Sequence, residues 1–152
     1  MRLLDAAGIP YTVLSYHADG PDLSAVHAAE RTGFPVERIF KTLVLQGSSG
    51  VRLVCCIPAA EELDLKKAAR LAGEKKADLV PVKHLLPLTG YVRGGCSPVG
   101  MKKSFPTFID ETAVLFSAVS VSAGERGLLM VLHPADLLRC TRGVTADLTL
   151  VP

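Results

Sequence analysis

Two long apolar runs, at residues 39–46 and 51–57, meet at Gly47-Ser48-Ser49-Gly50. That pairing predicts a β-hairpin, because small residues at the joint admit the backbone angles of a tight reversal. Neither run alternates cleanly between apolar and polar positions, so both faces of each strand need cover. The hairpin is therefore expected in the middle of a sheet and not at its edge.

Around it the chain supplies short helices and further strands. A helix over 3–7 is stopped by Gly8 and Pro10, and a β-branched and aromatic strand follows over 11–16. Residues 17–23 read as a loop, Ser24 as the cap of a helix running to Gly33, and 34–38 as a turn. Asp64 is placed to cap a helix over 65–72 with Lys66, Lys67 and Arg70 outward, ahead of a short strand over 77–80. A helix over 82–89 carries Pro87 against it and Gly90 at its C-terminal side. A short strand over 108–110, a second hairpin of 118–122 with 128–132, a helix opening at Pro134 with Gly143 beyond its end, and a closing strand over 144–150 complete the chain. With no linker, repeat or low-complexity segment in 152 residues, one domain is expected. Hairpins mixed with isolated helices indicate α+β and not a regular βαβ winding.

Hydrophobic residues make up 49% and charged residues 21%, which excludes a disordered or fibrous chain. A net charge of +2 is too small for bulk attraction to a polyanion, so any nucleic acid must be held by a local patch. Cys55, Cys56, Cys96 and Cys140 include no Cys-x-x-Cys pair, and His17, His27, His84 and His133 share no ligand spacing. Neither metal nor cofactor is expected, and a reducing, cytoplasmic setting fits the thiols.

Chemistry concentrates in Gly90-Tyr91-Val92-Arg93-Gly94-Gly95-Cys96-Ser97-Pro98-Val99-Gly100-Met101-Lys102-Lys103. Repeated glycine costs backbone entropy and leaves amides uncovered, and with Arg93, Lys102 and Lys103 close by the loop suits an anionic or carbonyl-bearing ligand. Lys41 is the second candidate. It stands in an otherwise apolar strand, where it either emerges at the sheet rim or is held inward to bind a phosphate or carboxylate. Cys96 could be a nucleophile beside cationic groups, but no histidine can be placed near it, and a small buried loop residue is the preferred reading. Ser97 lacks the Gly-x-Ser-x-Gly context of a hydrolase elbow. Glu61-Glu62 and Asp110-Glu111 sit at element boundaries and read as caps. With no evident acid–base pair, an enzyme on this plan works by positioning and oxyanion stabilisation.

The chain resembles the YbaK/EbsC family, relatives of the editing domain inserted in bacterial prolyl-tRNA synthetase. The resemblance rests on Leu4-Asp5-Ala6-Ala7-Gly8-Ile9-Pro10-Tyr11, Val36-Glu37-Arg38-Ile39-Phe40-Lys41-Thr42-Leu43-Val44 and Leu63-Asp64-Leu65-Lys66-Lys67. It continues through Thr89 to Pro98, Pro106-Thr107-Phe108-Ile109-Asp110-Glu111 and Val121 to Leu128, in the family's order. It implies a mixed, barrel-like β-sheet surrounded by helices, and removal of a wrong amino acid from tRNA. The implied substrate is Cys-tRNA(Pro), with Cys-tRNA(Cys) also attacked, and prolyl-tRNA synthetase is an implied partner.

Within that family pattern Lys41, Gly94, Gly95 and Ser97 are the expected catalytic positions. Tyr16, Thr42, Tyr91, Cys96, Pro98, Gly100, Ser122 and Asp136 are the expected substrate-binding ones. Lys41 and Thr42 would engage the tRNA 3′ end, and the Gly94–Pro98 loop would face the aminoacyl ester. The family's proposed chemistry uses the substrate's own cysteine thiol, which cyclises onto its ester and releases tRNA. Two departures stand out: residues 17–24 make a short loop, and Leu132-His133-Pro134 replaces an aliphatic-Ala-Pro sequence. His133 falls where alanine-editing domains carry a functional histidine, so an Ala-tRNA(Pro) deacylase using water stays open, as does a non-catalytic tRNA- or synthetase-binding homologue.

Overall fold

The computed structural model describes residues 2–17 and 25–150. Expectations for Ser24 as a helix cap and for the loop over 18–23 lie outside the described residues.

The apolar hairpin forms as β2 (Phe40–Gly47) and β3 (Arg52–Pro58), antiparallel from Phe40↔Pro58 to Gln46↔Arg52. Its joint is closed by Gly47 N donating to Val51 O and Gly50 N to Gly47 O, with Gly50 at φ 94°. Glu74 latches the turn by accepting from Ser49 N (2.8 Å) and Ser49 Oγ (2.6 Å), which lowers the Glu74 carboxyl below its usual range. As expected, the hairpin is internal. β4 (Ala77–Leu79) flanks β2, while β5 (Thr107–Asp110) and β8 (Val144–Ala146) extend the sheet beyond β3 in the order β4-β2-β3-β5-β8. The β3–β5 and β5–β8 pairings are parallel, so the sheet is mixed.

A second sheet of three strands runs β1-β7-β6, from β1 (Thr12–Ser15), β6 (Val119–Ser122) and β7 (Leu128–Leu132), all antiparallel. The two sheets meet at an isolated parallel bridge, Ile39↔Ser120, and do not close into a barrel. Between them Phe40, Val44, Val54, Cys56, Val119, Val121 and Met130 form the main core, which α5 (Pro134–Thr141) joins through Leu137. The opposite face of the hairpin, through Leu45, Leu53, Cys55 and Ile57, is covered by Ala68 and Ala69 of α3 (Leu65–Leu71) and by Leu148. Cover on both faces is what the unbroken apolar runs demanded.

Helix ends follow the sequence logic. Asp64 accepts from Lys66 N and Lys67 N at the start of α3. Pro134 opens α5 with His133 as its cap. α4 (Val82–Thr89) forms in spite of Pro87, whose ring lies on its exposed side, and ends on Gly90 at φ 84°. α1 (Arg2–Ala7) and α2 (Ala25–Thr32) complete the α-helices among the described residues, and Val36–Arg38 and Glu111–Leu115 are short 3-10 helices.

The closing strand is shorter than its alternation predicts, ending at Ala146. Beyond it Leu148 N donates to the buried Asp110 Oδ1, and Lys67 Nζ binds Asp147 (3.0 Å) and Thr149 O (2.8 Å). These contacts draw the chain off the sheet and onto the start of α3.

Candidate active site

The sequence between α4 and β5 forms a loop braced from within. Thr89 Oγ1 donates to Leu85 O and accepts from Tyr91 N, and Lys102 N donates to Thr89 O. Tyr91 straps the loop by donating from its hydroxyl to Val99 O at 2.6 Å. Gly95 N closes a turn onto Val92 O, and Ser97 Oγ accepts from Val99 N. Gly94 is left-handed at φ 86°. Gly95 is a glycine for a different reason. A Cβ there would lie 3.2 Å from Glu125 Cα and Gly124 O and 3.3 Å from Arg126 N, so the loop backbone rests directly on the β6–β7 turn.

This packing sets the loop at one wall of a cleft of about 790 Å³ that runs along the edge of β2 and is lined from both sheets. Lys41, Thr42, Leu43 and Val44 of β2 form one side. Arg93, Gly94 and Cys96 of the loop, Ser122 of β6 and Tyr16 after β1 also line it. Leu79, Val80, Val82 and Leu85 make an apolar flank at the β4–α4 end, and Ile39, Ala28 and Leu129 another. Lys41 is half-buried and Arg93 exposed, and neither has a carboxylate partner among the described residues. The amides of Gly94 and Cys96 likewise have no acceptor within the chain among those residues. No Asp, Glu or His is among the described lining residues. The polar groups on offer are therefore cations, hydroxyls and peptide N–H groups, which bind anions and polarise carbonyls but do not abstract protons at neutral pH.

Of the residues picked out by sequence, the cleft unites Lys41, Gly94, Tyr16, Thr42, Cys96 and Ser122. The others stand apart from its lining. Ser97 is 2% exposed and engaged within the loop; Tyr91 is the strap; Gly95 is pressed onto the neighbouring turn. Pro98 and Gly100 line a separate hollow of about 170 Å³ with Leu3 and Phe105. Asp136 lies in the first turn of α5, paired with Arg139 at 3.2 Å. His133 accepts from Ala135 N at 3.0 Å through Nδ1, as a helix cap. Burial pushes the Cys96 thiol up to about 11, with the Thr89 hydroxyl opposing the rise. A thiol held neutral is a poor nucleophile, in keeping with the small buried loop residue preferred from sequence.

Arg93 was singled out in the sequence as a cation and not as part of the site. The apolar flank from Leu79 to Leu85 carried no local signal at all, since its residues look like core.

A two-sheet α+β fold with a cation-lined, amide-bearing cleft defines the class to which the chain compares. The model of the aminoacyl-tRNA editing domain matches residues 20–140. The protein EbsC of Enterococcus faecalis strain V583, named as a proposed Cys-tRNA(Pro)/Cys-tRNA(Cys) deacylase, is 44% identical over 149 residues, covering 98% of this chain and 91% of EbsC. YwhH of Bacillus subtilis strain 168 is 30% identical over 72% of this chain and 69% of its own. A crystal structure described as a proposed trans-editing enzyme for prolyl-tRNA synthetase superposes with a TM-score of 0.88 at 29% identity, covering 99% of this chain and 94% of that one. The chain belongs to the aminoacyl-tRNA editing domain family, in its YbaK/EbsC branch, and its enzyme class is aminoacyl-tRNA deacylase.

Proposed function

We propose that this enzyme acts in trans to remove cysteine from mischarged Cys-tRNA(Pro), with Cys-tRNA(Cys) as a second substrate, and that the substrate thiol is the nucleophile. The observation that carries the reading is the character of the cleft's polar groups: Lys41, Arg93 and the amides of Gly94 and Cys96 can hold and polarise an ester. The 44% identity with EbsC supports the choice of cysteine.

In the step envisaged, the substrate thiolate attacks its own ester carbonyl and a C–S bond forms. The oxyanion that develops is stabilised by the Gly94 and Cys96 amides, each donor contributing about 3 kcal/mol. The C–O bond to the ribose then breaks, the ribose oxygen takes up a proton from water, and a β-thiolactone leaves. A thiol of ordinary acidity is a few per cent ionised at neutral pH, so no protein base is needed. Lys41 holds the ribose–phosphate side as a point charge, and the exposed Arg93 adds a second cation at the cleft for the nucleotide backbone. With a net charge of only +2, added affinity is assigned to a complex with prolyl-tRNA synthetase in the cytoplasm.

The test is deacylation of cysteine-, alanine- and serine-charged tRNA(Pro) by the pure protein. Rapid loss of cysteine alone is expected, with a thiolactone trapped among the products. Hydrolysis of the alanine ester at an equal rate would replace the thiol mechanism by attack of water. Inactivity on all three would leave a binding homologue.

A further inference from the structure

The hydrogen-bond polarity of β2 exposes a recognition edge in the cleft. Gly47 N donates to Val51 O (2.7 Å) and Ala59 N to Ile39 O (2.8 Å), so the odd-numbered positions of the strand direct their peptide groups at β3. Even-numbered positions point the opposite way, as Val44 O shows by accepting from Val80 N at 2.9 Å. On that side β4 pairs from Leu45 onward and its follow-on contact stops at Val44, while the bridge to β6 joins at Ile39. Neither ladder reaches Thr42. Its N–H and C=O are therefore turned into the cleft that Thr42 lines, and its side chain is occupied elsewhere, with Oγ1 3.7 Å from Cys56 Sγ.

One residue of an extended strand presents its own N–H and C=O side by side, from two successive peptide units, which a planar heterocycle with an amino group next to a ring nitrogen matches with two hydrogen bonds. Leu79, Val80, Val82 and Leu85 beside this edge supply an apolar flank for the faces of such a ring. An α-ammonium group fits the same edge poorly. The Thr42 N–H would oppose it, and no carboxylate is among the described lining residues to receive it.

Resting on the aminoacyl-tRNA reading above, we propose that the Thr42 peptide edge reads the Watson–Crick side of the terminal adenine, N–H to N1 and C=O from the N6 amino group. The enzyme thus identifies the 3′ nucleotide by main-chain hydrogen bonds.

The experiment uses RNA microhelices of the tRNA(Pro) acceptor stem ending in adenosine, purine riboside, 1-deazaadenosine or 7-deazaadenosine. Binding of the uncharged forms is measured by calorimetry, and deacylation is measured on the cysteine-charged forms. Removing N6 or N1 is expected to weaken binding and lower kcat/KM by about tenfold each, and removing N7 to change neither by more than about twofold. Equal binding and equal rates across the four ends overturn the proposal. The expected ranking in binding, combined with inactivity on every charged helix, sustains the adenine edge and overturns the deacylase reading instead.

Discussion

Lys41 is a cation without a carboxylate partner among the described residues, in a strand whose other side chains are apolar except for Thr42 and Gln46. Such a group is retained at a cost in desolvation, which a phosphate or ribose partner would offset. Lys41→Ala is expected to lower kcat/KM by about a hundredfold or more while circular dichroism and thermal midpoint stay put; near-wild-type turnover would remove it from the mechanism. Cys96 gives the opposite expectation. Its thiol is held neutral by burial, so Cys96→Ser should keep turnover within about fivefold. Alkylating reagents at pH 8 should be slow to modify it, which mass spectrometry can follow. Lys41 and Cys96 were both visible in the sequence. The burial of Cys96 was legible too, but the inward placement of Lys41 and the company both keep were not, because those depend on which strands and loops come together.

At the scale of elements, the loop after α4 works as one braced unit, and its braces can be tested apart from its chemistry. Tyr91→Phe deletes only the hydroxyl that binds Val99 O. A stability loss of about 1 kcal/mol in urea is expected, together with a fall in kcat at nearly constant KM if the Gly94 and Cys96 amides act on the ester as proposed. Gly95→Ala is harsher, since its new methyl meets backbone and not a side chain that can swing away. Local patterns told much of this architecture in advance. The apolar runs around Gly47–Gly50 gave the central hairpin, and Asp64 and Pro134 marked where α3 and α5 begin. The parallel pairings β3–β5 and β5–β8 left no such mark, because strands distant in sequence share no turn to betray them. The early end of β8 was hidden for a related reason: it depends on Asp110 and Lys67, both remote in the chain. The loop's own glycines marked the segment that supplies one wall of the cleft. Whether a given one faces the cleft or neighbouring backbone was not legible, as Gly94 and Gly95 show.

For the molecule as a whole, three thiols tie the core to pH. Burial raises Cys55 and Cys56 to about 12 and Cys96 to about 11, from an ordinary 9.0. The unfolded chain sheds these protons near pH 9 while the folded chain retains them, so stability is intact below pH 9 and declines as pH climbs toward 11 and 12. Denaturant melts at pH 8 and pH 10.5 should show the drop, and Cys55→Ala with Cys56→Ala should flatten it. On the thiol mechanism proposed above, catalysis answers to a different acid. No Asp, Glu or His is among the described cleft lining residues, and on the proposed mechanism the ionisation governing turnover is that of the cargo. The pH–rate curve should then slide along the axis with the acidity of whichever thiol the ester carries, and a more acidic analogue should move the rise to lower pH with no change in the protein. On that proposal the catalyst borrows its reactive group from the error it corrects.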